Sequence, residues 1–111
     1  MRLVVALCAA CLLAGCGVPQ ERADQAEDVH AVAAEGALLA HEAAEGSLET
    51  FTAEHAQALQ GLLRELQPAI EDERLSRRAA AVDAALGRLV EDPGDRRQAY
   101  TVERRLRELA G

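Results

Sequence analysis

The chain has 111 residues and a formal net charge of −7 at pH 7, with 19 acidic and 12 basic side chains. This length suits one small domain, and the negative charge argues against binding to nucleic acid or broad adsorption on anionic lipid. Two aromatic residues, Phe51 and Tyr100, and one isoleucine are too few for a β-sheet, whereas the abundant Ala, Leu, Glu, Gln and Arg favour helices. The composition therefore predicts an all-α fold.

Residues 1–15 have the pattern of an export signal. Arg2 precedes an unbroken apolar run over residues 3–13, and small residues stand just before Cys16. The run would form about 16 Å of helix at roughly 1.5 Å per residue, which is too short for a bilayer core of about 30 Å. Export therefore fits this segment better than a transmembrane helix.

The motif Leu13-Ala14-Gly15-Cys16 resembles the lipobox of bacterial lipoprotein precursors. The resemblance implies cleavage before Cys16, a diacylglycerol on its sulfur and, usually, an acyl chain on its new amino group. An ordinary exported protein and an uncleaved anchor are the alternatives. The single basic residue, Arg2, departs from the family, in which two or more are common.

The resemblance also implies the organisation of the chain and its location. Residues 1–15 would be the cleaved signal, residues 16–20 a lipidated tether and residues 21–111 a helical bundle domain on the extracytoplasmic face of the cell envelope. In this family an Asp after the cysteine tends to retain the protein at the inner membrane. Gly17 therefore favours the outer membrane, if the source has one. Cys8 and Cys11 would leave with the signal, so no disulfide is expected.

Apolar residues at helical spacing predict the first helix, from near Glu21 to Gly46, with Ser47 as the N-cap of the next. Its expected inward positions are Val29, Val32, Ala33, Gly36, Leu39, Ala40 and Ala43, with Glu35, Glu42 and Glu45 facing away. The second helix should end at Gln67, where Pro68 favours a break over a kink. Its expected inward positions are Leu48, Phe51, His55, Leu59, Leu62 and Leu66.

The third helix is predicted from about Ala69 to Val90, with Glu71–Arg74 and Glu73–Arg77 pairs on its surface. Its expected inward positions are Leu75, Ala79, Val82, Leu86 and Leu89.

Asp92-Pro93-Gly94-Asp95 predicts a turn, and Asp95 with Gln98 resembles a capping box. The fourth helix should bury Ala99, Val102, Leu106 and Leu109 and expose Arg104, Arg105 and Arg107. Short connections between these helices predict an antiparallel bundle of three to four helices.

The charge distribution predicts which helices face one another. Residues 16–63 contain nine acidic residues and one arginine, whereas residues 64–111 contain ten of each. We therefore expect an acidic first helix to lie against arginine-bearing later helices.

Histidines and arginines supply the candidate sites. Glu27 and His30 have the Glu-x-x-His spacing used by metal-binding bundles. His41 and Glu45, four residues apart, could bind zinc with help from ligands elsewhere. No second Glu-x-x-His copy exists, so solvated polar faces are the favoured interpretation. His55, on the predicted inner stripe, is either a core histidine or a pH-sensitive latch. Arg74, Arg77 and Arg78 form a basic edge that could bind phosphate headgroups or an acidic partner. A solvated helix face is the favoured interpretation of these arginines.

The remaining residues do not indicate catalysis. The mature chain would keep no thiol and has no Gly-rich phosphate loop, and Ser47 and Ser76 have no plausible base nearby in sequence. We therefore expect a non-enzymatic protein without cofactor or small-molecule substrate, which binds another envelope protein or itself. The alternatives are a metal-binding bundle using Glu27, His30 and His41, or a periplasmic chaperone-like protein.

The body of the chain is similar, over about 30 residues, to small α-helical exported bacterial proteins of unknown function, some of them ferritin-like. The resemblance lies in two segments made mostly of packing residues: Ala34-Glu35-Gly36-Ala37-Leu38-Leu39 and Phe51-x-x-x-His55-Ala56-x-x-Leu59. It implies no activity.

Overall fold

The computed structural model describes residues 18–111, with side chains from Ala23 onward. Four α-helices make up almost all of this part of the chain, which contains no strand. The helices are α1 (Val18–Glu45), α2 (Glu49–Leu66), α3 (Glu73–Glu91) and α4 (Arg96–Ala110). The predicted all-α bundle is confirmed.

The helices form an antiparallel bundle. α1 packs most extensively against α4 and also contacts α2 and α3, while α3 lies between α2 and α4. Along α1, Gly36 lies beside Leu106, His41 beside Glu103 and Gly46 beside Arg96. Because the α4 numbers fall as the α1 numbers rise, these two helices run in opposite directions.

The inner faces of α1, α3 and α4 are those that the sequence predicts. All seven predicted positions of α1 are buried, and so are the four of α4. In α3, Leu75 is half-buried at the edge and the other four predicted positions are buried. The largest fully buried side chains are leucines and valines from all four helices: Leu39, Leu63, Leu86, Leu89, Leu106, Val29, Val82 and Val102.

The predicted inner face of α2 is wrong. Leu48, Phe51 and Leu62 are 80%, 50% and 49% exposed, and His55 and Leu66 are half-buried. The centre of the buried stripe lies about 65° further round the helix, at roughly 100° per residue. This stripe shares one position with the prediction and consists of Thr52, Ala56, Leu59 and Leu63. The small residues Thr52 and Ala56 permit close approach of neighbouring helices. A prediction of the inner face from the largest apolar side chains overlooks them.

The turn between α1 and α2 follows from one glycine. Gly46 has a φ of 100°, its N–H donates to Ala43 O, and the Ser47 N–H donates to Glu42 O. This is a Schellman motif, which glycine favours because it has no Cβ. Ser47 therefore belongs to the end of α1, and the prediction that it caps α2 is wrong. The N-cap of α2 is Leu48, without a side-chain cap, while Ser47 Oγ lies 3.1 Å from Thr52 Oγ1.

Pro68 marks a break, as predicted. α2 ends at Leu66, a 3₁₀ turn spans Gln67–Ala69, and Ile70 is extended. α3 then begins at Glu73, four residues later than expected, because Asp72 caps it by accepting from the Leu75 N–H at 3.1 Å. The predicted pair of Glu71 with Arg74 therefore does not sit on a helix.

The surface pair of α3 and the turn that follows are confirmed. Glu73 Oε1 lies 3.4 Å from Arg77 Nη2, one turn apart on α3. After α3, the Asp95 N–H donates to Asp92 O, which closes the predicted turn. Asp95 Oδ1 then accepts from the Gln98 N–H at 3.0 Å and caps α4.

The start of α1 also differs from expectation. The helix begins at Val18 instead of near Glu21, so residues 18–20 of the predicted tether are helical. Pro19 falls in the first turn, where proline is tolerated because that N–H has no intrahelical acceptor.

Candidate interaction surface

Two features bear on membrane attachment. Cys16, the predicted lipidation site, lies outside the described residues, as does the predicted signal over residues 1–15. Within the described part of the chain, no helix combines the length and the apolar character that crossing a bilayer requires.

The structure separates the candidate metal ligands. His30 is half-buried, and its Nε2 accepts from Arg78 Nη1 of α3 at 2.7 Å. A guanidinium therefore occupies the lone pair that a metal would need. His41 is eleven residues further along the same helix, about 16 Å away at 1.5 Å per residue. Glu27, His30 and His41 do not form one site, and residues 18–111 contain no group of three or more potential ligands placed to hold a metal.

His41 belongs instead to an ion-pair network between α1 and α4. Its Nδ1 donates to Glu103 Oε1 at 3.1 Å, and Arg107 Nη2 lies 2.7 Å from Glu103 Oε2. The Glu103 side chain is only 13% exposed, whereas its two partners are about half exposed. Here the acid comes from α4 and the histidine from α1, the reverse of the expected charge arrangement.

The other candidate residues lie at the edge of the bundle. His55 is half-buried and meets the exposed Phe51 edge-on, with ring centroids 5.6 Å apart. Of the predicted basic edge, Arg77 pairs with Glu73 and Arg78 binds His30. Arg74 is exposed and borders a small hollow of about 230 Å³.

A groove of about 620 Å³ lies between α1 and α2. Its apolar lining comes from both helices: Ala31, Val32, Leu62 and Leu66. Three exposed carboxylates complete the lining, and no cationic side chain does: Asp28, Glu35 and Glu65. We call this feature the α1–α2 groove.

A second hollow, of about 460 Å³, lies on the other side of α1, toward α4. It is lined by Ala34, Ala37, Leu38, Arg107, Ala110 and Gly111. Leu38 is 62% exposed and shares the outward side of α1 with Ala31 and Ala34. These three residues recur at helical spacing and form an exposed apolar ridge between the two hollows. The outer side of α1 therefore carries a short apolar ridge among its exposed carboxylates.

Sequence analysis missed this surface although a signal was present. The sequence predicts Leu62 and Leu66 as core residues, and the helical spacing of Ala31, Ala34 and Leu38 is less evident than the stronger inward stripe. A helix with two apolar stripes is typical of one that is covered on more than one side.

Comparison with known proteins returns no match: no family model fits the sequence, and no curated protein or solved structure is significantly similar.

Proposed function

We propose that the protein is a lipid-anchored helical module of the bacterial cell envelope, which acts without catalysis by binding another envelope protein or a second copy of itself. The observation that carries the proposal is the motif Leu13-Ala14-Gly15-Cys16 at the end of an export-type segment. Two acyl chains on Cys16 suffice for stable anchoring, since each buried methylene contributes about 0.8 kcal/mol.

The start of the helical body supports this proposal. α1 begins at Val18, two residues after Cys16. A link this short holds the N-terminal end of the bundle close to the membrane surface, on its extracytoplasmic side. The protein would then meet other proteins of the same membrane face.

The outer surface of α1 supports the binding role. The ridge of Ala31, Ala34 and Leu38 exposes apolar area beside two hollows. Contiguous exposed apolar surface on a small protein is typical of an interaction site.

Fatty-acid labelling of growing cells tests the anchor. We expect radioactive palmitate to label the wild-type protein and not the Cys16→Ala variant. The Cys8→Ala and Cys11→Ala variants serve as matched controls and should keep the label, because both cysteines would leave with the signal. An unlabelled wild type, or equal labelling of Cys16→Ala, would contradict the proposal.

Crosslinking in intact cells tests the binding role. We expect a defined crosslinked product that contains either a second copy or one envelope protein. A chain that stays monomeric and recovers no envelope protein would contradict this part of the proposal.

A further inference from the structure

We infer that the α1–α2 groove docks an amphipathic helix of a partner protein, whose apolar stripe is flanked by Arg or Lys. The inference rests on the proposed function and adds to it the surface used and the chemistry of the partner.

The shape and lining of the groove fit one helix face. Val32 is 6% exposed and forms the floor with the half-buried Leu66, while Leu62 stands at the side, 49% exposed. Residues 28–35 of α1 span about 10 Å, or two helical turns. A docked helix would place apolar side chains at positions i, i+3 or i+4, and i+7 along that length.

The charge of the groove selects the occupant. Asp28, Glu35 and Glu65 are exposed, and none of them forms an ion pair with the side chains described from Ala23 onward. An anionic lipid surface would meet like charge here. A symmetric dimer through this groove would also bring the three carboxylates of each copy toward those of the other, which is unfavourable. A cationic flank on the docked helix satisfies all three carboxylates.

The opposite side of α1 already binds a helix of this kind. α4 carries five arginines and two glutamates, and its buried residues form one apolar stripe. Arg107 of α4 borders the hollow beside Ala34 and Leu38 of α1. The bundle therefore contains an internal example of an arginine-bearing amphipathic helix that packs on the flank of α1 through its apolar stripe, while its Arg107 pairs with Glu103 of α4 itself.

Peptide binding to the purified full chain tests the charge requirement. The probe is a fluorescein-labelled amphipathic peptide of leucine and lysine, followed by anisotropy at low salt. We expect the triple variant Asp28→Lys, Glu35→Lys, Glu65→Lys to bind at least about tenfold more weakly than wild type. The matched control has the same charge change at exposed carboxylates outside the groove and should lose less than about threefold: Glu54→Lys, Glu71→Lys, Glu91→Lys.

Two results of this experiment would overturn the inference. One is an equal loss in both triple variants, which would reveal attraction by net charge alone. The other is equal binding of a leucine–glutamate peptide of the same pattern.

A pair of leucines tests the apolar requirement. Leu62→Ser should weaken binding of the leucine–lysine peptide about fivefold or more, whereas Leu48→Ser, at an exposed position outside the groove, should leave it unchanged. Far-UV circular dichroism checks that both variants remain helical. Equal binding by the two folded variants would overturn the inference.

Site-specific photocrosslinking in cells separates this inference from the proposed function. Benzoylphenylalanine replaces Leu62 in one strain and Leu48 in another, and mass spectrometry identifies the crosslinked segment. We expect Leu62 to capture a segment whose apolar stripe carries Arg or Lys at its flanks. Capture of a second copy at Leu62, or of a partner from Leu48 alone, overturns the inference and leaves the proposed function standing. If neither position captures a protein and Cys16 takes no fatty acid, the proposed function itself fails.

Discussion

Gly36 and Gly61 show how strongly the effect of a glycine-to-alanine substitution on stability depends on the surroundings of the glycine. A Cβ at Gly36 would lie 2.9 Å from Leu86 Cδ2 and 3.0 Å from Leu106 Cδ1. A Cβ at Gly61 would meet nothing within 4 Å. Both residues lie inside helices, so both substitutions gain the same helix propensity, about 1 kcal/mol for alanine over glycine. Only Gly36 is needed for close contact between helices.

We therefore expect the two alanine variants to change stability in opposite directions. Gly61→Ala should raise the free energy of unfolding by about 0.5–1 kcal/mol. Gly36→Ala must also displace two buried leucines, at about 1–3 kcal/mol, so it should lower stability by up to about 2 kcal/mol. Urea denaturation followed by circular dichroism measures both. A Gly36→Ala protein as stable as Gly61→Ala would contradict the close packing described for α1.

Glu103 is the charged residue on which the contact between α1 and α4 most depends. Its carboxylate binds both His41 and Arg107 and is largely shielded from solvent. Glu103→Ala should lower the free energy of unfolding by about 1 kcal/mol, because two charge-assisted hydrogen bonds are lost. Glu108→Ala removes only an exposed pair with Arg105 and should cost less than about 0.5 kcal/mol. Equal costs in a denaturation experiment would show that the network adds nothing.

Among the elements, α2 shows where sequence periodicity is ambiguous. In α1, α3 and α4 one stripe of apolar residues stands out, and the structure buries it. α2 offers two overlapping stripes, because Leu62 and Leu63 are adjacent and belong to different faces. The prediction followed the larger residues through Leu48 and Phe51. Packing followed the small ones through Thr52 and Ala56, which fit between closely spaced helices.

Truncation of the two adjacent leucines tests the observed face of α2. Leu63 is fully buried, so Leu63→Ala should cost about 2–5 kcal/mol. Leu62 is half exposed and should cost less than about 1 kcal/mol when changed to alanine. Denaturant unfolding of both variants gives the comparison. The reverse order would restore the face that the sequence first suggested.

Helix boundaries could be predicted from the sequence wherever one residue has a single clear way of ending or capping a helix. Gly46 ends α1, Pro68 separates α2 from α3, and Asp95 caps α4, each as expected. The sequence does not single out Asp72 as the N-cap of α3, because Pro68 also suits the first turn of a helix and predicts an earlier beginning for α3. The side chain of Ser47 predicts an N-cap, but its N–H donates to Glu42 O at the end of α1.

For the whole molecule, sequence analysis predicted the fold better than the site. The bundle follows from composition, periodicity and short connections. The distance between His30 and His41 was already implied by their separation along one helix, and the structure adds that Arg78 binds His30. The α1–α2 groove depends on how two helices meet, which periodicity within one helix does not contain.

The charge distribution of the whole molecule differs from the expected one. The acidic first half of the chain was expected to face the arginines of the second half. Among the side chains described from Ala23 onward, Glu45, Glu73 and Glu108 pair within their own helices, and Glu103 binds both His41 of α1 and Arg107 of α4. Most carboxylates of α1 and α2 therefore remain directed to solvent, which leaves an acidic outer surface available to a cationic partner.

The proposed role depends most on attachment to a membrane through Cys16, and mass spectrometry of the mature protein from its native cells measures this attachment directly. We predict an N-terminal peptide that begins at Cys16 and carries two or three acyl chains. A mature protein that begins at another residue, or that retains a free thiol at Cys16, would contradict the account.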